Sequence, residues 1–197
     1  MSRLLTGLIF FCSISSLAQT PKESAYFASG CFWCVEAIFE SVKGVYYAES
    51  GYSGGTVKNP TYEQICTGKT GYAETVKVVY NPKEISYETL LRVFFNSHDP
   101  STLNKQGPDE GTQYRSAIFY QTEEEKNKAQ EYIKQLKTQK TFSRVTTTLE
   151  PFIKFYKAEE YHQDFEKRNP DHPYVKAISL PRLMKFKKSS PSYIKKE

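Results

Sequence analysis

Apolar positions along the chain change period several times, and each change marks an element. A short apolar stretch from Ser24 to Ala28 predicts a strand, and Ser29-Gly30 a turn. Val35, Ile38, Phe39 and Val42 then recur at the i, i+3, i+4, i+7 spacing of one helical face, so a helix opens at Cys31 and ends at Gly44. A Gly/Ser/Tyr-rich loop is predicted to follow Gly44, through Gly51-Tyr52-Ser53-Gly54-Gly55 to Asn59-Pro60, long for a small domain and therefore a candidate site. Glu74 to Tyr80 alternates as a strand. Asn81-Pro82 turns the chain into a helix carrying Leu90, Leu91, Phe94 and Phe95, which His98-Asp99-Pro100 stops. After a polar loop to Gly111, a strand is predicted from Gln113 to Tyr120, a helix capped by Thr122 and Glu125, a strand near Val145 to Leu149, and a short helix around Glu159 to Lys167. Strands and helices alternate with no internal repeat and no Gly-rich phosphate loop. The fold class is α+β: a two-layer sandwich of sheet and helices with long functional loops, for which a ferredoxin-like mixed sheet is the expectation.

The chain's 197 residues, 39% hydrophobic, suffice for one domain with a core of its own. The first eighteen residues differ from the rest. Arg3 precedes an apolar run, Leu4 to Phe11, and Ser16 and Ala18 sit at the minus three and minus one positions of a cleavage site. Residues 1–18 therefore read as a signal peptide cleaved after Ala18, too short and too broken for a membrane span, and an exported, periplasmic or secreted protein is expected. Residues 19–23 read as a linker, 24–183 as the catalytic domain, and 184–197 as a frayed, solubilising basic tail. The tail carries much of the excess behind the net charge of +5, but nothing beside it suggests nucleic acid.

With Cys12 in the leader, Cys31, Cys34 and Cys66 remain, an odd number that does not describe a disulfide framework. Cys31 opens a helix, where free N–H groups and the positive end of the dipole are expected to favour its thiolate. Cys34 follows one turn later, within disulfide reach if the backbone allows it. Spacing alone leaves three readings open: ordinary buried thiols, a thioredoxin-like redox pair, and a metal site that borrows Cys66 and one of His98, His162 or His172. The metal site lacks a second ligand pair at zinc spacing.

The motifs narrow these readings. Gly30-Cys31-Phe32-Trp33-Cys34-Val35-Glu36 resembles the Gly-Cys-Phe-Trp signature of the A-type peptide methionine sulfoxide reductases. Gly51-Tyr52-Ser53-Gly54-Gly55, Asn59-Pro60-Thr61-Tyr62, Thr70-Gly71-Tyr72-Ala73-Glu74, His98-Asp99-Pro100 and the run Gln106 to Ser116 follow in that family's order, so the resemblance spans about Tyr26 to Pro170.

The resemblance implies reduction of the S epimer of methionine sulfoxide, free or within oxidised proteins. It implies Cys31 as nucleophile, Glu74 as proton donor, Tyr62 and Tyr114 as hydrogen-bond donors to the sulfoxide oxygen, and Asp109 shaping the loop and orienting substrate. Phe32 and Trp33 would form the wall for the substrate methyl group. Glu74 must then be buried enough to keep its proton near neutrality. The sulfenic acid left on Cys31 needs a resolving thiol and then a thioredoxin-like reductant. No cysteine follows Cys66, and Val175 stands where some relatives carry one. Cys34, where most members have glycine, is the expected resolving thiol, and Cys66 is expected to be buried and structural. Tyr72 replaces the family's usual histidine, which could shift the pH profile, and His162 is assigned a structural role. No cofactor or metal is required, and a monomer is expected.

Overall fold

The computed structural model describes residues 21–196; the leader with Cys12 lies outside them. In chain order the elements are β1 (Glu23–Ser29), α1 (Phe32–Glu40), β2 (Val45–Ser53), α2 (Tyr62–Cys66), β3 (Ala73–Tyr80), α3 (Tyr87–Asn96), β4 (Lys105–Gln106), β5 (Asp109–Glu110), β6 (Ser116–Tyr120), α4 (Glu123–Thr138), β7 (Thr148–Pro151), β8 (Tyr156–Lys157), α5 (Phe165–Arg168) and α6 (Leu180–Ser189). The main sheet runs β7-β6-β1-β3-β2-β8, while β4 and β5 form a separate hairpin. Its centre, β6-β1-β3-β2, is antiparallel throughout, with β3 between the two strands that α1 connects. This is the split βαβ arrangement expected of a ferredoxin-like sheet. β7 adds to β6 in parallel, making the sheet mixed.

Period-two alternation decides what lies on each face. Ala25 and Phe27 of β1 and Val76, Val78 and Tyr80 of β3 point to the helical layer, where Phe27 stacks between Phe39 of α1 and Phe94 of α3 at centroid distances of 5.1 and 5.2 Å. Tyr26, Ala28, Ala73 and Phe119 point the other way, under Phe152 and Phe155. Each fully buried aromatic on the helical side contributes roughly 1.5–3 kcal/mol of burial free energy. Glu74 is in phase with Val76 and Val78, so the same alternation turns its carboxyl into the helical layer.

Several elements differ from expectation, among them β2, the whole of which lies where a loop is expected. The Gly51–Ser53 stretch, expected as loop, is the end of β2: a Cβ on Gly51 would lie 2.3 Å from the Phe155 ring and 2.4 Å from Tyr156 O, so glycine here lets β8 approach and pair. Tyr62–Cys66, within a stretch with no expected element, is a short helix opened by a capping box of Thr61 with Gln64. The largest correction concerns 184–197. The supposed frayed tail begins inside α6, buries Phe186 completely, and returns along α1 to bridge Val42 with Ile194, Lys43 N donating to Tyr193 O at 2.8 Å. Apolar Phe186 and Ile194, spaced among the lysines, hold it there.

Candidate active site

The turn between β1 and α1 sets the site. Gly30 has φ +89°, and a Cβ there would meet Gln106 at 2.6 Å, so the β4–β5 hairpin closes directly over the turn. Cys31 follows as the N-cap of α1 and caps nothing with its side chain. The first helical N–H, that of Phe32, donates instead to Glu74 Oε2 at 3.0 Å. Glu74 is buried, and burial, with Asp109 nearby, pushes its carboxyl up to about 8 in spite of that bond. At neutral pH Glu74 is therefore a carboxylic acid beside the sulfur of Cys31.

Cys31 behaves differently from the helix-start argument. Burial, the neighbouring Cys34 and the carboxyl of Glu74 push its thiol well up, whereas Cys34 is pulled down to about 6. Cys34 owes this to hydrogen bonding with Cys31, the positive charge of Arg182, and the Ser179 hydroxyl, which donates to Cys34 Sγ at 3.0 Å. Of the two thiols, the surroundings favour the thiolate on Cys34. The expected depressed Cys31 thiol is thus corrected: desolvation outweighs the few exposed N–H groups of the helix start.

Aromatic rings wall the site. Phe32 is fully buried against Tyr52, Tyr62 and His162. Trp33 is half-buried, stacked on Phe165 at 3.6 Å, with its indole N–H on His162 Nδ1 at 3.1 Å and its ring nearly perpendicular to that of Tyr174. Tyr62 and Tyr114, on α2 and on the 3-10 turn Thr112–Tyr114, are half-buried, and both phenols are pushed up by burial and by Glu74. They are neutral O–H donors at any ordinary pH. Asp109, at the start of β5, accepts from Tyr174 O–H at 2.6 Å. Cys31, Cys34, Glu74, Tyr62, Tyr114, Asp109, Phe32 and Trp33, drawn from 84 positions of sequence, thus converge on one end of α1. A cleft of about 690 Å³ between α3, the β4–β5 hairpin and α6 contains neither Cys31 nor Glu74.

The match to the family model for peptide methionine sulfoxide reductase covers residues 23–193. The chain belongs to the peptide methionine sulfoxide reductase family. It is 50% identical over 167 residues to the peptide methionine sulfoxide reductase of Deinococcus radiodurans, covering 84% of this chain and 81% of the relative, and 50% identical over 169 residues to that of Sulfolobus acidocaldarius, covering 86% and 96%. Among solved structures it is similar to Mxr1 of Saccharomyces cerevisiae in reduced form, with a TM-score of 0.72 and 34% identity, covering 77% of this chain and 87% of that one. Methionine sulfoxide reductase A of Corynebacterium diphtheriae gives 0.69 at 34%, covering 78% and 77%.

Within this reductase, several expectations need revision. Cys66 is exposed at the end of α2, not a buried structural thiol. Tyr72 is buried, but its hydroxyl donates to Val57 O at 2.7 Å and its ring packs on Tyr156, so it pins the loop after β2 and does not face Cys31. His98 is bonded to Phe94 O and Ser116 Oγ, tying the end of α3 to β6; burial and Arg182 push it down to about 3. Among the described residues no three His, Cys, Asp or Glu side chains gather as a metal site would need.

Sequence reasoning missed Tyr174, Glu159, Ser179 and Arg182. Glu159 holds Tyr62 in place by accepting its N–H at 2.9 Å, and the Tyr52 hydroxyl at 2.8 Å. All four lie in the last quarter of the chain, where no periodic pattern points back to Cys31.

Proposed function

We propose that the reductase converts the S epimer of methionine sulfoxide, protein-bound or free, to methionine through Cys31, with Cys34 as resolving thiol and a thioredoxin-like donor as electron source. The observation that supports it most is the buried, protonated Glu74, bonded to the first N–H of the helix that Cys31 caps. A sulfoxide sulfur resists thiolate attack until its oxygen is protonated, and an acid ionising near pH 8 at this place supplies that proton. Tyr62 and Tyr114 donate to the same oxygen, and the Phe32–Trp33 wall receives the methyl group. Asp109, held by Tyr174, shapes the loop on the far side.

Charge reaches Cys31 within the pair, as its S–H proton passes to Cys34. The Cys31 sulfur attacks the substrate sulfur as Glu74 protonates its oxygen; the S–O bond breaks, an oxygen–sulfur bond forms at Cys31, and the transient sulfur–sulfur bond opens with its electron pair on the departing methionine, leaving Cys31 as a sulfenic acid. Two electrons lost by Cys31 match the two gained by the sulfoxide. Cys34 then condenses with the sulfenic acid, releasing water, and an external dithiol reduces the disulfide. Export after cleavage at Ala18 makes that dithiol one available outside the cytosol, and N-terminal sequencing of the exported protein checks it: retention of residues 1–18 would remove this part of the proposal.

The test is stereospecific reduction of a methionine S-sulfoxide with dithiothreitol. Wild type is expected to be active, Cys31→Ser inactive, and Cys34→Ser active with dithiothreitol but not with a thioredoxin-like donor. Wild type that leaves the S-sulfoxide untouched would overturn the proposal.

A further inference from the structure

Ser179 is fully buried, and its place in the helix is unusual. Val175–Ser179 forms one wide π turn, in which Leu180 N reaches back to Val175 O, before α6 begins. Such turns expose or redirect a side chain and occur often at functional sites. A buried helical serine ordinarily satisfies its hydroxyl on a carbonyl of the preceding turn. Ser179 instead spends its proton on Cys34 Sγ, 145 residues away, at 3.0 Å.

Three residues on, Arg182 is pinned by Nε to Ser97 O at 2.9 Å and by a terminal nitrogen to Ser29 O at 3.0 Å. Its charge thus stands beside the β1–α1 turn at no freedom to leave. On the other side of Ser179 lies Glu166, buried with its Oε2 unpartnered among the described residues and its carboxyl held up by desolvation; its charge works against a thiolate on Cys34. The remaining titratable groups around Cys34 are Cys31, Glu74 and Tyr174. Glu74 and Tyr174 are neutral at pH 7, leaving Arg182 as the one formal charge among them that favours a thiolate.

We infer that Ser179, supported by Arg182, is a positioning residue for the second half of the reaction: it aims the sulfur of Cys34 and holds it as the anion that attacks the oxidised sulfur of Cys31. This rests on the proposed role of Cys34. In the step, the S–S bond forms as the S–O bond of the sulfenic acid breaks, and the leaving oxygen takes the proton that Cys34 accepted earlier, departing as water. Cys31 is reduced from the sulfenic to the disulfide level and Cys34 is oxidised to meet it. The neutral hydroxyl of Ser179 returns unchanged.

The experiment is a single turnover of the full chain on a methionine S-sulfoxide without reductant, from pH 5 to 9. Methionine released, Cys31 trapped by dimedone and Cys31–Cys34 disulfide are quantified by mass spectrometry. Per methionine released, Ser179→Ala is expected to form the disulfide roughly tenfold more slowly at neutral pH, to accumulate dimedone adduct, and to move the inflection of disulfide formation up by about one pH unit, as loss of a hydrogen bond to an anion requires. Ser179→Thr and Ser179→Val carry the same added bulk and differ in the hydroxyl alone, so Thr is expected to be faster than Val and to keep the wild-type inflection. Equal rates and inflections for Thr and Val would overturn the inference, leaving Ser179 a packing residue. Absence of any Cys31–Cys34 disulfide in the wild type would instead remove Cys34 as resolving thiol.

Discussion

Two glutamates are buried to the same degree on either side of α1, yet only one is placed to act. Glu36 and Glu74 are each 2% exposed, and burial pushes them up to about 7 and about 8. Glu36, on the helix, has both oxygens engaged: Ser50 Oγ bonds one at 2.8 Å and Asp164 N donates to the other at 3.3 Å. It joins α1 to β2 and α5. Glu74, on the strand below, accepts one bond from Phe32 N, while its other oxygen makes none among the described residues. Desolvation makes a carboxyl keep its proton near neutrality, but a proton can be given only by a carboxyl with an uncommitted oxygen facing a substrate.

The strongest way to break this comparison is Glu74→Gln, which keeps the shape and removes the acid. Steady-state kcat/KM for a methionine S-sulfoxide is expected to fall by roughly 10²–10⁴. In the wild type the same parameter should decline as pH rises through about 8, because the donor form of Glu74 is the protonated one, and this decline should be missing from the residual activity of the variant. An unchanged rate would make Glu74 a second Glu36.

Tyr174→Phe removes the hydroxyl that holds Asp109, and kcat/KM is expected to drop about tenfold, as for one hydrogen bond to a charged partner. A smaller effect would place Asp109 outside the working geometry.

Glu36→Gln should act on stability rather than chemistry. Below the ordinary carboxyl range both folded and unfolded chains are protonated at this position. Between that range and about 7 only the unfolded chain ionises, so the wild type loses stability as pH rises, by on the order of 3 kcal/mol through this group. The variant, measured by denaturant unfolding at pH 5 and pH 8, should lose less over that interval.

The smallest effect is expected from Tyr72→Phe: about 1 kcal/mol of stability from the lost bond to Val57 O, with the pH profile of kcat/KM kept. A changed profile would return Tyr72 to the site, where the family's histidine made it a candidate.

Much of this arrangement is legible in the chain. The alternation Glu74, Val76, Val78, Tyr80 already turns the glutamate inward, and Gly30-Cys31 before an i, i+3, i+4, i+7 helix already places the nucleophile at a helix start. Both are local periodicities, and local periodicity survives without knowledge of the partner. The basic segment after Met184 was misread for the complementary reason: Phe186 and Ile194 are too sparse among lysines to signal a packed strand or helix until α1 is present to receive them. The exposure of Cys66 was hidden likewise, since an Ile-Cys pair ending a short helix does not say which of its two side chains turns inward.

Sequence by itself determined the α+β class, the strand–helix successions at Cys31, Asn81 and Thr122, and the residues around Cys31 that carry the family's signature. The tertiary structure alone decided which of two thiols in one turn has surroundings that favour a thiolate. Cys31 and Cys34 share a helix start and are both buried, but the Ser179 hydroxyl donates to Cys34 and the charge of Arg182 favours its thiolate. Proton affinity depends on desolvation and on charges a few ångströms away, and those neighbours come from strands and helices that lie up to 150 residues off along the chain.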